Sequence, residues 1–396
     1  MKATNYQHKN IRQENNKPGV IVIEGHIQGL ANTRLLGREG IPVIVIDKND
    51  CVAKDSRYCK KYLKCPDYLN EEFIEFLIKM NKAFNLENWL LLPSNDHAVY
   101  NISKNKNILG QYYKIITDDF EVVENIYNKR KLLQIAERVG IPIPKTLIPE
   151  IENPRKLELG YPLIIRGNQG LSFYKKYKQK AIIVHSSAEL GGIWDDILQG
   201  IHPEEYFIQE IVPNDKRTIS ATVFAKDGVV YTFWMGIKLR EHPMFFGTAT
   251  CAQSIYDEDV LELSKKLIGE LNFTGVCEIE WIRDKRDGIP KLIEVNPRTW
   301  LWVGLAAECG INYPKIIYNY IYNHQLPEPI NYPIGVVWLN IYTDIIYSIQ
   351  SILKKFFKPQ DIMKTYRNFI EASWDKSDPL PFFKYALLIN NFKINR

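Results

Sequence analysis

The segments Gly275-Val276-Cys277-Glu278-Ile279-Glu280-Trp281 and Lys291-Leu292-Ile293-Glu294-Val295-Asn296-Pro297-Arg298 decide how this chain reads. Both read as strands, and the polar stretch 283–288 between them reads as the loop of a hairpin. Side chains two apart on a strand share a face, so Glu278 lies with Glu280, and Glu294 with Asn296. If the two strands pair, Glu280, Glu294 and Asn296 converge. Two carboxylates and an amide oxygen are hard donors. They suit Mg²⁺, with Mn²⁺ as a substitute, because such ions take a few protein ligands and complete their shell with phosphate oxygens. Ile279, Ile293 and Val295 hold these strands in a core, where converging acids are costly unless a cation neutralises them. The competing reading is an exposed acidic face paired with Lys or Arg. The apolar flanks and the trailing Asn-Pro-Arg weigh against it.

Upstream, residues 122–140 read as one helix ended by Gly140-Ile141-Pro142-Ile143-Pro144-Lys145. Strands follow at 162–166 and 206–212. An antiparallel pair, 218–224 and 228–235, turns at Lys226-Asp227-Gly228. Lys238 and Arg240 fall on one strand face, and 247–250 reads as a loop. A helix spans 257–272, and another begins at Gly304.

The first part of the chain has a different rhythm. Gly19-Val20-Ile21-Val22-Ile23-Glu24-Gly25 is a buried strand ending in a glycine turn; a helix runs through Arg38, and residues 40–47 form a second strand ending in Asp47. This is the opening βαβ unit of a doubly wound parallel sheet. A helix at 71–82 and a strand at 89–93 continue it, with Ser94-Asn95-Asp96 at the strand's carboxyl end, where such sheets bind ligands. Gly25 and Gly29 do not make a clean G-x-G-x-x-G, which sets a nicotinamide oxidoreductase well behind. The regular alternation stops near residue 118, where an α+β domain begins. The expected division is a tail at 1–17, a parallel-sheet domain at 18–117, a two-lobed module at 118–325 and a helical, aromatic region at 326–396.

Over 396 residues, 45% hydrophobic and 24% charged, the composition is that of a globular chain rather than a disordered one. The net charge of +5 is spread along the sequence, without the basic block of a nucleic-acid-binding arm. It suits an anionic small ligand. The six cysteines form no CxxC pair and read as reduced thiols of a cytoplasmic protein; Cys51, Cys59 and Cys65 lack the second ligand pair of a zinc finger. The tail has no apolar core and is not a secretion signal. The apolar stretch 333–353 is broken by Asn340, Asp344 and Gln350, and reads as a packed amphipathic element rather than a membrane span. Membrane contact is not expected, and a homodimer is allowed.

The hairpin resembles the metal-binding end of the ATP-grasp superfamily, in which an acid on one strand precedes Glu-x-Asn-x-Arg on the next. The resemblance extends to Asn128-Lys129, to Gly140-Ile141-Pro142-Ile143-Pro144-Lys145-Thr146, to Tyr161-Pro162-Leu163-Ile164-Ile165-Arg166 and to Phe207-Ile208-Gln209-Glu210-Ile211-Val212. It covers roughly residues 18 to 325. It implies an N-terminal parallel sheet followed by a two-lobed ATP-grasp module, with ATP and Mg²⁺ as cofactors. Glu280, Glu294 and Asn296 would be the metal ligands. Lys129, Arg166 and Lys180 would contact phosphates. Gln209, Glu210, Ile211 and Val212 would receive adenine, and Asp215 the ribose. Lys238, Arg240 and Arg298 would face the transferred phosphoryl group or the acyl phosphate.

Lys129 by itself also reads as a solvated helix-start lysine, Asp215 as a turn residue, and His242 as a turn histidine or a proton carrier. The family usually has lysine where this chain has Arg166, and a smaller flap than residues 167–180. That flap is more like ligases of the D-aspartate ligase type. The implied reaction joins a small-molecule carboxylate to an amine through an acyl phosphate. The alternatives are carboxylase or carbamoyl-phosphate chemistry on the same fold, and a catalytically silent nucleotide-binding module.

Overall fold

The computed structural model describes residues 17–149, 159–169, 173, 177, 181–196, 202–215, 217–242, 247–354 and 358–392. The first sheet contains β1 (Val20–Ile23), β2 (Val43–Asp47), β3 (Cys59–Lys64), β4 (Trp89–Pro93) and β5 (Tyr113–Ile115). All pairings are parallel, in the order β3-β2-β1-β4-β5. Every residue of β1, β2 and β4 is buried, as unbroken apolar runs require when both sheet faces are covered. β1 lies between β2 and β4, so the connections leave it in opposite directions and open a crevice at the carboxyl ends. The helix Ile27–Arg38 begins directly under this turn. A Cβ on Gly29 would lie 2.1 Å from the Glu24 carbonyl, so only glycine allows the helix so close.

A small antiparallel sheet follows. It is built from β6 (Thr146–Leu147), β7 (Leu163–Gly167), β8 (Ala181–Val184) and β9 (Tyr206–Glu210), in the order β6-β9-β7-β8. The large sheet holds β10 (Ile219–Lys226), β11 (Val229–His242), β12 (Thr248–Ile255), β13 (Gly275–Arg283), β14 (Pro290–Asn296), β15 (Val337–Leu339) and β16 (Ile370–Glu371). Their order is β14-β13-β10-β11-β12-β15-β16.

Three sequence expectations change here. The helix expected over 122–140 is two helices, Phe120–Tyr127 and Lys129–Arg138. Asn128 interrupts them in an extended conformation, and its side chain accepts from the Lys131 backbone N–H (3.1 Å). This N-cap makes Lys129 the first residue of a helix rather than an interior one. The expected loop over 247–250 belongs largely to β12. The region after 326 is not purely helical, because β15 and β16 extend the large sheet. The apolar stretch 333–353 divides into β15 and the helix Ile341–Leu353; among the described residues no helix is long and apolar enough to cross a membrane.

One core cluster joins Val20, Val43 and Leu90 of the first sheet to Trp234, Trp300, Trp302 and Trp338. At roughly 25 cal/mol per Å² and about 200 Å² per ring, each indole contributes on the order of 5 kcal/mol of gross transfer energy. The two sheets therefore share a continuous core. A second cluster packs β10, β11, β13 and β14 on the helices Glu258–Glu270 and Lys129–Arg138. It supports the β13–β14 hairpin from behind.

Candidate active site

In the β13–β14 pair Glu280 stands directly opposite Glu294, and Glu278 opposite Asn296. The convergence expected from alternation is therefore present. Like charges placed directly opposite cost about 0.2–1 kcal/mol, so the pair needs cations. Lys238 Nζ on β11 donates to both Glu280 oxygens at 3.0 Å. Lys129 Nζ donates to Glu294, and Arg166 on β7 donates to the same oxygen at 3.2 Å. Burial alone would raise the Glu294 carboxyl, but Lys129 and Arg166 hold it well below the usual carboxylate range. Burial would likewise lower the Lys238 ammonium, and Glu280 with Glu278 outweighs that and raises it.

Glu278 shares this face, as its spacing requires, and its role is visible only in its partners. It is 4% exposed and accepts from Ser220 Oγ (2.8 Å) and Asn296 Nδ2 (3.2 Å). Burial, then the neighbouring Glu280, pushes its carboxyl up. Its Oε2 accepts from Asn296 Nδ2, which leaves Asn296 Oδ1 toward Arg298, whose Nη2 lies 3.4 Å away.

Arg298 forms an ion pair with Asp96 (2.7 Å) and donates through Nη1 to the Thr299 carbonyl (2.9 Å). Asp96 opens the helix Asp96–Lys104 directly after β4, so Arg298 bridges the acidic face to the crevice of the first sheet. Beside it, Asn95 donates to Glu24 (3.1 Å) at the end of β1.

The hinge residues occupy the end of β9. Gln209 accepts from Arg166 (3.3 Å) and donates to Thr146 Oγ1 (2.8 Å). Glu210 accepts from the Lys145 N–H (3.0 Å) and pairs with Arg286 (2.9 Å) and Lys291 (3.4 Å). Burial would raise its carboxyl, and these partners hold it low instead. Ile211 and Val212 follow, Val212 being buried. Asp215 is exposed and paired with Lys285 (2.5 Å). Lys180 lies outside the described residues. Of the flap, Asn168 is a contact that sequence reasoning missed: its carbonyl accepts from the Lys129 N–H (3.4 Å) and its side chain from the Arg130 N–H (3.0 Å). It ties the small sheet to the start of the lysine-bearing helix.

Arg240 is a correction. The reading from spacing placed it with Lys238 on one strand face. The register of β11 against β12 shifts on both sides of Arg240. Its guanidinium instead makes a two-pronged pair with Asp344 (both bonds 2.8 Å) and donates to Thr365 (2.8 Å). It serves the C-terminal region.

Among the described residues no group of three or more His, Cys, Asp and Glu side chains is arranged to hold a metal ion by itself. The set at the hairpin is smaller: two facing carboxylates and an amide oxygen fixed by Glu278. That donor set fits a hard cation that draws its other ligands from phosphates and water. The cysteines are free thiols, with burial pushing Cys65 up to about 12 and Cys59 to about 11, as packing residues would be.

A parallel sheet followed by a small antiparallel sheet and a large, mainly antiparallel one, with cation-paired acids on the large one, is the architecture of the ATP-grasp fold. Comparisons with known proteins agree with that fold. No family model matches the chain. It is 25% identical over 262 residues to a D-aspartate ligase from Enterococcus faecium, a match covering 62% of this chain and 62% of that protein. The match thus spans less than two thirds of that relative's length. Among solved structures it is similar to L-amino acid ligase from Bacillus licheniformis (TM-score 0.60, 15% identity, 79% of this chain and 76% of that one). It is also similar to N5-carboxyaminoimidazole synthetase from Staphylococcus aureus complexed with ADP (TM-score 0.63, 14% identity, 82% of both chains). These structural likenesses show the fold: an N-terminal parallel sheet followed by two lobes of ATP-grasp type.

Proposed function

We propose that this chain is an ATP-dependent carboxylate-amine ligase working through an acyl phosphate. The observation that carries the reading is the facing pair Glu280 and Glu294 with Asn296 alongside, each acid neutralised by a cation that phosphate oxygens can compete for. The similarity to D-aspartate and L-amino acid ligases supports an amino acid as one of the two small-molecule substrates.

In this reading a substrate carboxylate oxygen attacks the γ-phosphorus of ATP and ADP leaves. The amine then attacks the acyl carbon, expelling phosphate and giving an amide after loss of a proton. Lys129 and Arg166 turn from Glu294 toward the nucleotide phosphates, as charge-assisted donors. Lys238 meets the transferred phosphoryl group, and Arg298 clamps it or the substrate carboxylate. Gln209 to Val212 form the wall against adenine, with Asp215 toward the ribose. Glu280, Glu294 and Asn296 would hold Mg²⁺, or Mn²⁺, which supplies charge neutralisation for the phosphate oxygens. The remaining contribution is positioning and exclusion of water by the small sheet.

The test is phosphate release from ATP across a panel of amino acids and small acids, with Glu294→Gln as control. Turnover requiring one acid and one amine, lost in the variant, is the expected result. Release that depends on bicarbonate and needs no amine would move the reading to a carboxylase. Tight ATP binding without turnover on any pair would move it to a silent module.

A further inference from the structure

The large hydrophobic residues left exposed are unevenly distributed. Of the sixteen among the described residues, nine fall between 341 and 392. They form two stripes. On the helix Ile341–Leu353, Ile345, Ile349, Ile352 and Leu353 follow the i, i+4, i+7, i+8 spacing of one helix face. On the helix Leu380–Phe392, Leu380, Phe383 and Leu387 share one face at i, i+3 and i+7.

Aromatic contacts connect the stripes. Tyr342 packs on Phe382 with ring centroids 5.0 Å apart, Phe382 on Phe383 at 5.5 Å, and Trp374 on both at 5.4 and 6.2 Å. The apolar surface therefore runs from one helix to the other. It exceeds the scatter of single exposed residues that a globular surface normally carries. The side chains protrude: Leu353 is 77% exposed, Leu387 68% and Phe383 59%. Residues that wall a groove are shielded by the opposite wall, and these are not.

The exposed charge on these C-terminal elements is mostly positive, while Asp50 and Asp55, on and beside the turn packed against the second helix, are acids near Lys384. Lys354, Lys358, Lys364, Arg367, Lys376 and Lys384 are exposed, and Asp361 is the single exposed acid among the described residues 341–392. The other carboxylates there are engaged within the fold: Asp344 and Asp378 are buried on Arg240 and Arg34, Asp375 pairs with Arg38, and Glu371 accepts from the Ser373 N–H and hydroxyl. An isologous dimer through this face would bring its cations against their own copies, at a cost in like-charge repulsion. Protruding Trp, Phe, Leu and Ile side chains interleaved with lysines are instead the chemistry of an element lying in a lipid interface. Lysines gain attraction there when the surface is anionic.

We propose that the face made by Tyr342, Ile345, Ile349, Trp374, Phe383 and Leu387 docks on an anionic lipid surface, with the surrounding lysines supplying charge attraction. Its first helix packs on β11 and β12, away from the acidic hairpin in sheet order.

The experiment is co-sedimentation of the full chain with vesicles of phosphatidylcholine alone and of phosphatidylcholine with one quarter phosphatidylglycerol, at low and high salt. The expected result is at least about tenfold more bound chain on the anionic vesicles, reduced by salt as screening requires. Phe383→Ser with Ile349→Ser should abolish binding, and Lys354→Glu with Lys384→Glu should lower it at least about fivefold. ATP binding should be unchanged in all of them, which also shows that they are folded. Equal binding to both vesicle types, or no binding to either, overturns the proposal. A dimer in solution that the Phe383→Ser, Ile349→Ser variant converts to monomer also overturns it, assigning the face to a second copy. Capture of an acidic protein without vesicle binding overturns it in favour of a protein partner.

Discussion

The two ends of the large sheet each hold an acid against a cation, and the contrast between them separates a reactive pair from a structural one. At the β13–β14 end, Glu280 takes both its hydrogen bonds from the single ammonium of Lys238, and both side chains remain 12–13% exposed. At the β12–β15 end, Asp344 accepts from Arg240 twice, from Thr250 (2.6 Å), from Tyr366 (2.8 Å) and from Ser348 (3.3 Å), and is fully buried. The first carboxylate keeps unused lone pairs and an accessible partner. The second has neither. Lys238 and Arg240 are two positions apart on the same strand, so the distinction lies in how many donors surround each acid, not in the presence of an ion pair.

The largest effect that would break this contrast is at the hairpin. Glu294→Gln should lower turnover by about 10³-fold, near 4 kcal/mol of barrier, while thermal unfolding stays within a few degrees of the parent. Retained turnover would remove Glu294 from the chemistry. Next comes the sealed pair. Asp344→Ala leaves a buried guanidinium unpaired and should destabilise the chain by about 3–5 kcal/mol, read as a lower denaturation midpoint. A variant as stable as the parent, but inactive, would put Asp344 and Arg240 in the reaction instead.

A finer probe is Glu278→Leu. Leucine offers no acceptor, so Asn296 Nδ2 loses its partner and the Asn296 amide is free to turn. Supporting residues of this kind commonly affect metal affinity about 10–100-fold. Mn²⁺ titration in the presence of ADP should show that loss, with metal-free nucleotide binding unaltered; identical Mn²⁺ affinity would reduce Glu278 to a packing residue. The smallest expected effect is Asn128→Ala. Loss of an N-cap costs about 1 kcal/mol, and the loosened Lys129 should raise KM for ATP more than it lowers kcat. A change confined to kcat would count against Lys129 as a phosphate contact.

What could be read in advance follows from period. A strand's side chains repeat every two residues, so Glu278, Glu280, Glu294 and Asn296 could be assigned to faces before any coordinates, and the buried runs of β1, β2 and β4 were equally plain. Features that depend on a single break were hidden. Asn128 divides a continuous helical pattern with one capping side chain. The irregular pairing around Arg240 leaves no mark in composition. β3, with the polar sequence Cys59-Lys60-Lys61-Tyr62-Leu63-Lys64, is an edge strand with little of the apolar character of its neighbours. β15 and β16 hold three and two residues, too few for any periodicity. The role of Glu278 depends on which atoms it accepts from, and spacing alone does not carry that.

The tryptophans in the shared core give the chain a built-in optical signal. Trp234 and Trp300 lie nearly parallel, with centroids 6.1 Å apart, and Trp302 meets Trp234 edge-on at 5.4 Å. Indoles this close couple their excited states and should give a strong near-ultraviolet dichroism band. Trp300 is two residues from Arg298, on the segment that joins the acidic hairpin to the first sheet. The band can therefore follow, without any label, how that junction responds when the cleft fills.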